Sequence, residues 1–123
     1  MTSSLGQLCL NVAELDTAVD FYVGLGLTCT SRTEIPQAHE AIVENPAHGS
    51  KLQLAQQKDH DGPLDLGDAF WKLYVDTADV AATWERALAA GATVESPPER
   101  LDRWPVTVGF VRDRDGYLVE LVE

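Results

Sequence analysis

The sequence has few of the features that mark membrane, secreted or nucleic-acid-binding proteins. No apolar run approaches the roughly 20 residues that cross a bilayer. Only two cysteines occur, Cys9 and Cys29, in apolar segments without CxxC spacing, so we expect two buried, reduced thiols. Nine Lys and Arg against 20 Asp and Glu give a net charge of −11, which repels phosphates and anionic lipids. We therefore expect a cytoplasmic protein that binds neither nucleic acid nor membrane.

The 123 residues are predicted to form one domain (1–123) built from two units of the same organisation. In the first unit, about 1–58, apolar patterns and turn residues predict a strand, a helix and three strands, at Leu5–Val12, Asp16–Leu25, Leu27–Glu34, Ala41–Glu44 and Lys51–Gln56. A polar linker follows at about 57–68. The second unit, about 69–123, repeats this order at Phe70–Val75, Asp79–Ala90, Thr93–Glu95, Val106–Val111 and Tyr117–Val122.

The two units match at nearly constant spacing. Val12 matches Val75 and Phe21 matches Trp84, in both cases 63 positions later, while Gln53 matches Glu120 at 67 positions. Each unit is therefore predicted to be a β-α-β-β-β repeat, and the fold class is α+β. The pair Pro97-Pro98 is expected to end the third strand of the second unit.

Three segments together resemble the vicinal-oxygen-chelate superfamily of glyoxalase I, bleomycin-resistance proteins and extradiol dioxygenases. They are LNVAELDTAVDFYVGLGL (10–27), ALAAGA (87–92) and FVRDRDGYLVELV (110–122). The resemblance implies two βαβββ modules that form a cupped mixed β-sheet with helices on the outside, around a ligand cavity and within a homodimer. It leaves open whether modules pair within one chain or swap between two.

The resemblance also indicates where a metal-dependent member carries its ligands. Strand alternation and the repeat assign those positions to Gln7, Gln53, Phe70 and Glu120. A phenyl ring cannot coordinate and amide oxygens are weak ligands, so we expect neither a metal nor another cofactor. Lys72 is predicted to form a salt bridge with Glu120. The alternative, a weakly held divalent ion at Gln7, Gln53 and Glu120, stays open.

Strand alternation also predicts which residues line the cavity. The predicted ligand-binding residues are Gln7, Cys9, Asn11, Gln53, Phe70, Lys72, Tyr74, Trp104 and Glu120, with Ala55 beside them. The seventh strand contributes either Val106 and Val108 or Thr107 and Gly109.

The three tryptophans are predicted to have different surroundings, and the three histidines to be exposed. Trp104 lies in a loop, where it can stack on a ligand, cap the core or enter a dimer contact. Trp71 is expected to pack on a helix and Trp84 to lie in the core. The three histidines are expected in exposed loops, at His39, His48 and His60.

The catalytic residues of common enzyme classes are not recognisable. The pattern offers no Ser-His-Asp or Cys-His set and no glycine-rich phosphate loop, and Glu120 is the only candidate catalytic residue, as a general base. The leading hypothesis is binding of a small aromatic or cationic molecule without a metal, as in bleomycin-resistance proteins, with antibiotic resistance as a role. The alternatives are a metal-dependent lyase, isomerase or dioxygenase, and a ligand-free dimeric interaction or regulatory module.

Overall fold

The computed structural model describes all 123 residues, which divide into two compact units, Met1–Leu64 and Asp65–Glu123. The elements of the first unit are β1 (Leu8–Asn11), α1 (Leu15–Gly24), β2 (Thr28–Glu34), β3 (Ala38–Glu44) and β4 (Leu52–Gln57). Those of the second are β5 (Leu73–Asp76), α2 (Val80–Ala89), β6 (Thr93–Arg100), β7 (Thr107–Arg112) and β8 (Leu118–Val122). Neither helix has the length and hydropathy that crossing a bilayer requires.

Each unit contains one four-stranded mixed sheet with the same topology. The strand order is β1-β4-β3-β2 in the first unit and β5-β8-β7-β6 in the second. The first and last strands of each unit are parallel, and the other neighbours are antiparallel. The predicted α+β class with two βαβββ modules is therefore confirmed.

The helix of the first unit covers one face of its sheet. Leu10, Leu54 and Ala41 are register partners across three strands, and all three are buried. On α1, Phe21 and Tyr22 are fully buried and meet edge to face, with ring centroids 5.0 Å apart. Apolar burial of this kind on one sheet face and one helix face supplies the main stabilising term of such a layer.

The second unit repeats this layer with different side chains. Asp79 caps α2 by accepting a hydrogen bond from the Ala82 amide at 3.0 Å. Gly109 on β7 lies close beneath the helix, because a Cβ placed there would come within 3.2 Å of both Trp84 and Val80. Trp84 is half-buried, so the expectation of a core indole is only partly met, and its ring N–H donates to the Phe110 carbonyl at 3.3 Å.

The spacing of the repeat differs from the sequence-based alignment. Helix α2 begins 65 positions after α1, at Val80 and Leu15 respectively, and the left-handed glycines that follow the helices, Gly26 and Gly91, are also 65 apart. The predicted spacing of 63 is therefore wrong. It followed from the predicted helix starts at Asp16 and Asp79, whereas α1 begins at Leu15, after the cap position Glu14, and Asp16 lies in its first turn.

The spacing of 67 for the final strands is confirmed by the sheet register. Cys9 pairs with Gln53 in the first unit, and Tyr74 pairs with Glu120 in the second. Consequently Gln53 and Glu120 are equivalent, as are Cys9 and Tyr74.

Several strand limits also differ from the predictions. β6 continues through Pro97-Pro98, because it is an edge strand where a missing N–H breaks few ladder bonds, and its register shifts between Ser96 and Glu99. β3 begins at Ala38, so His39 lies in a strand rather than a loop. β5 begins only at Leu73, which leaves Phe70 outside the strand.

The two cysteines are free but not buried, contrary to the prediction. Cys9 is exposed and Cys29 is partly exposed. Cys9 pairs with Gln53, on the sheet face opposite the buried Leu10 and Leu54, so the helix does not cover it. An apolar strand that is covered on one face only leaves every second residue outside the core.

Candidate functional site

In each unit, the sheet face turned away from the unit's own helix carries two of the predicted site residues in register, Cys9 and Gln53 in the first unit and Tyr74 and Glu120 in the second; we call it the far face. On the far face of the second unit, Tyr74, Glu120 and Phe110 are register partners across three adjacent strands. Their equivalents in the first unit are Cys9, Gln53 and Ile42.

The far face of the second unit contains a closely held ion pair. The Lys72 ammonium donates to Glu120 Oε1 at 2.5 Å, and each side chain retains only 11% of its exposure. The hydrogen bond to Glu120 raises the pKa of Lys72, although partial burial opposes this effect. The predicted salt bridge between Lys72 and Glu120 is therefore confirmed.

Three aromatic rings surround the same ammonium. Lys72 Nζ lies 4.1 Å from the ring centroid of Trp71, 4.9 Å from that of Tyr74 and 5.5 Å from that of Phe110. All three distances fall within the range of cation–π attraction. We call Trp71, Tyr74, Phe110 and Glu120 together the Lys72 cage.

Sequence reasoning misplaced or missed two of the cage residues. Trp71 does not pack on a helix as predicted: it is 74% exposed, and its ring faces Lys72. Phe110 was missed because the register of the seventh strand was left open. The contact of Gly109 with α2 assigns Val108 and Phe110 to the far face, and Phe110 pairs with Glu120. A glycine opposite a helical tryptophan is the signal that indicates this register.

On the far face of the first unit, hydrogen bonds between amide side chains take the place of the ion pair. Gln7 donates to the Gln53 side-chain oxygen at 3.4 Å, and Gln57 donates to the Asn11 side-chain oxygen at 3.0 Å. Although Cys9 is exposed, partial desolvation of its thiol, with a smaller contribution from Glu40, raises the pKa of this group. Cys9 therefore stays protonated at neutral pH and is a poor nucleophile.

The corrected spacing changes the residue that is equivalent to Gln7. Gln7 directly precedes β1 and Lys72 directly precedes β5, so Lys72, and not Phe70, is its counterpart. The hydrogen bonds agree, since Gln7 contacts Gln53 just as Lys72 contacts Glu120. The ring of Phe70 packs edge to face on Tyr117 at 5.8 Å.

The residues at these positions do not fit a metal ion. Lysine has three N–H donors and no lone pair to offer while it is protonated, and here it is bonded to the only carboxylate of the set. The other two positions are neutral amides, at Gln7 and Gln53. No group of three or more His, Cys, Asp or Glu side chains is placed to hold an ion.

Trp104 lies between β6 and β7 and is 57% exposed. Arg103 stands over its ring, with the guanidinium carbon 5.1 Å from the centroid. Its exposure argues against a role in capping the core, and ligand stacking by this ring stays a prediction. His48 and His60 are exposed outside the strands and helices, as predicted.

Comparison with known protein sequences reveals a family match over nearly the whole chain. The model of the "Glyoxalase/Bleomycin resistance protein/Dioxygenase superfamily" matches residues 4–121. A probable lactoylglutathione lyase of Vibrio parahaemolyticus is 28% identical over 119 residues, covering 93% of this chain and 86% of the relative. A lactoylglutathione lyase of Neisseria meningitidis serogroup A is 25% identical with the same coverage of both chains.

Solved structures share the fold at low sequence identity. Glyoxalase I from Zea mays superposes with a TM-score of 0.85 at 22% identity, over 95% of this chain and 44% of the maize chain. This chain thus spans less than half the length of the maize enzyme. A glyoxalase family protein from Bacillus cereus superposes with a TM-score of 0.84 at 17% identity, over 100% of this chain and 95% of that one. Identities this low establish the fold alone.

Proposed function

Since the chain belongs to the glyoxalase/bleomycin resistance protein/dioxygenase superfamily, we propose that it binds a small cationic or aromatic molecule without a metal ion. The observation that carries the proposal is the position of Lys72, which is equivalent to Gln7 and bonded to Glu120. The proposal includes a single-domain cytoplasmic homodimer that sequesters its ligand, as expected for the bleomycin-resistance branch, and no catalysis.

Electrostatic repulsion disfavours a metal ion at Glu120. A divalent ion at Glu120 would have to displace an ammonium that already holds the carboxylate at 2.5 Å. It would also lie beside the displaced positive charge, and like charges repel strongly where water is largely excluded.

The chemistry of the far face of the second unit favours a cationic or aromatic ligand. Trp71 and Tyr74 expose large ring areas next to a carboxylate, and exposed rings attract both flat molecules and cations. The net charge of −11 adds a long-range attraction for positively charged molecules.

Titration of tryptophan fluorescence with a panel of cationic aromatic compounds tests the proposal, with each compound measured in the presence and absence of EDTA. We expect saturable quenching with the same Kd in both conditions. Glu120→Gln should weaken binding, whereas Glu85→Gln on the exposed side of α2 serves as the matched control. Binding that disappears when EDTA is added, or a panel with no binder, contradicts the proposal.

A second candidate function follows from the names of two relatives, a probable and a named lactoylglutathione lyase. Each of them aligns with 93% of this chain. It predicts lactoylglutathione lyase activity, with Glu120 as a catalytic residue. Assays with added Zn²⁺ or Ni²⁺ distinguish the two candidates. We expect no activity above the uncatalysed rate, and metal-dependent turnover would replace our proposal with this one.

A further inference from the structure

The Lys72 cage has the composition of a site that recognises cations. Glu120 provides a charged hydrogen-bond acceptor, and three rings present their faces to the same nitrogen at 4.1, 4.9 and 5.5 Å. Aromatic rings around an ammonium group are a recurrent means of binding ligands that carry one. In this protein the occupant of the cage is a side chain of the protein itself.

The fold does not require the cage, because the first unit lacks it. The positions equivalent to Trp71, Lys72, Tyr74, Phe110 and Glu120 are Gly6, Gln7, Cys9, Ile42 and Gln53. None of these five residues carries an aromatic ring or a charge. The same topology therefore forms with neutral side chains, so the topology does not depend on the rings and the carboxylate.

The cage is accessible from solvent. Trp71 is 74% exposed and Tyr74 is 60% exposed, so two of the three rings can be reached without opening the core. Lys72 is attached through a flexible four-carbon stem, and its ammonium is strongly hydrated when it returns to water. A competing cation can therefore displace it without unfolding any element.

We propose that the Lys72 cage is the binding site for the ammonium group of a small-molecule ligand, and that Lys72 fills this site until the ligand displaces it. The inference rests on the proposed function, because it states which chemical group of the ligand is recognised and where. Lys72 then determines how tightly a ligand must bind, because only a cation that outcompetes the tethered Lys72 ammonium occupies the cage.

The contact with Glu120 specifies the class of cation. The oxygen lies at hydrogen-bond distance from the occupant, so a matching ligand must present an N–H donor there. Primary ammonium and guanidinium groups satisfy this requirement. A quaternary ammonium contacts the rings equally well but leaves the carboxylate without a donor.

Chemical replacement of the lysine side chain tests the proposal. Lys72→Ala removes three methylene groups and the ammonium, which together correspond to n-propylammonium. Calorimetric titration should show that Lys72→Ala binds n-propylammonium about tenfold more tightly than the unchanged protein does, since competition from the tethered ammonium is gone. The neutral analogue 1-propanol should bind to neither.

Two matched variants locate the effect. Adding Glu120→Gln to Lys72→Ala should abolish the gain, because the carboxylate is lost while the rings remain. Gln7→Ala, the equivalent change in the first unit, should bind n-propylammonium no more tightly than the unchanged protein does. Equal binding of 1-propanol and n-propylammonium would show a merely apolar cavity, and no gain in Lys72→Ala would mean that the cage is not a ligand site; either result overturns the proposal.

A measurement on the unchanged protein covers the case in which Lys72→Ala fails to fold. The ε-methylene NMR signals of Lys72 should be shifted upfield by the surrounding rings, and benzylammonium should move them toward the positions of free lysine. Signals at free-lysine positions from the start, or signals that benzylammonium does not move, overturn the proposal. If Lys72→Ala binds n-propylammonium more tightly but no compound of the fluorescence panel binds, the cage is retained and the proposed function is rejected. If a compound of the panel binds but Lys72→Ala shows no tighter binding of n-propylammonium, only the cage is rejected.

Discussion

Gln7 and Gln53 of the first unit occupy the same places in the fold as Lys72 and Glu120 of the second. The first pair is an amide contact of 3.4 Å and the second an ion pair of 2.5 Å. Both pairs join the start of the first strand to the last strand of the unit. One geometry thus accommodates a neutral or a charged pair, so the charge in the second unit is a feature of its chemistry and not of the fold.

The helix-covered faces show the same contrast in packing. Val19 and Ala41 of the first unit are equivalent to Trp84 and Gly109 of the second, by the spacing of the helices and the register of Leu54 and Leu121. In the second unit, the larger side chain of Trp84 on the helix is accompanied by a glycine, without a side chain, at position 109 of the strand. The two layers therefore reach close packing with different distributions of volume.

The largest difference between the units should appear when the last-strand residue is truncated. Glu120→Ala leaves the largely buried ammonium of Lys72 without its partner, and should lower the free energy of unfolding by about 2–4 kcal/mol. Gln53→Ala removes only a neutral amide contact, and should cost less than about 1 kcal/mol. Urea unfolding of both variants measures the difference, and equal losses would contradict the contrast between the two pairs.

The packing contrast predicts the next largest effect. Gly109→Ala places a Cβ within 3.2 Å of Trp84 and Val80, and should cost about 1–3 kcal/mol through overpacking. This loss of stability should be smaller in a Trp84→Val background, which places at position 84 the residue type of its equivalent, Val19. Gly6→Ala is the control, because a Cβ at that position meets no atom within 4 Å. If Gly109→Ala costs the same stability with Trp84 as with Val at position 84, the tryptophan does not occupy the space left by the glycine.

The ion pair should give the second unit a pH dependence that the amide pair lacks. Glu120 raises the pKa of Lys72 above its ordinary value of 10.5. The pair's contribution is therefore fully present below that value and is lost as the pH rises through the higher folded-state pKa. The stability difference between the unchanged protein and Lys72→Met should be constant near neutral pH and shrink above pH 10.5. Gln7→Met should show no such change.

The smallest effect concerns Cys9, the counterpart of Tyr74. Because partial desolvation and Glu40 raise the pKa of its thiol, Cys9 should react with a thiol reagent more slowly than a free cysteine at pH 8. Glu40→Gln should increase the rate slightly. Mass spectrometry of the modified peptide gives the rate for Cys9 separately from Cys29, and an unchanged rate in Glu40→Gln would remove that carboxylate from the explanation.

The sequence predicted the features that depend on alternation within one strand. The side of the strand on which Glu120 lies and its pairing with Lys72 both follow from the two-residue period of β8 and β5. These predictions succeeded because a strand has only two faces, and the apolar residues identify the covered one.

The sequence failed where the answer depends on neighbouring elements. The choice of cap acid shifted the repeat by two positions, because Glu14 and Asp16 are both acids near the start of α1. The register of β7 depends on the space beneath Trp84, which no local pattern reveals. Phe110 was missed for that reason, and Trp71 was assigned to a helix contact because its strand was predicted to begin too early.

Equilibrium dialysis of the purified protein against Zn²⁺ and Ni²⁺, followed by elemental analysis, tests most directly whether Lys72 displaces the metal chemistry of the superfamily. We predict no stoichiometric metal, because the ammonium holds the one carboxylate of the set and the remaining positions are amides. One tightly bound ion per chain, lost in Glu120→Gln, would contradict the account.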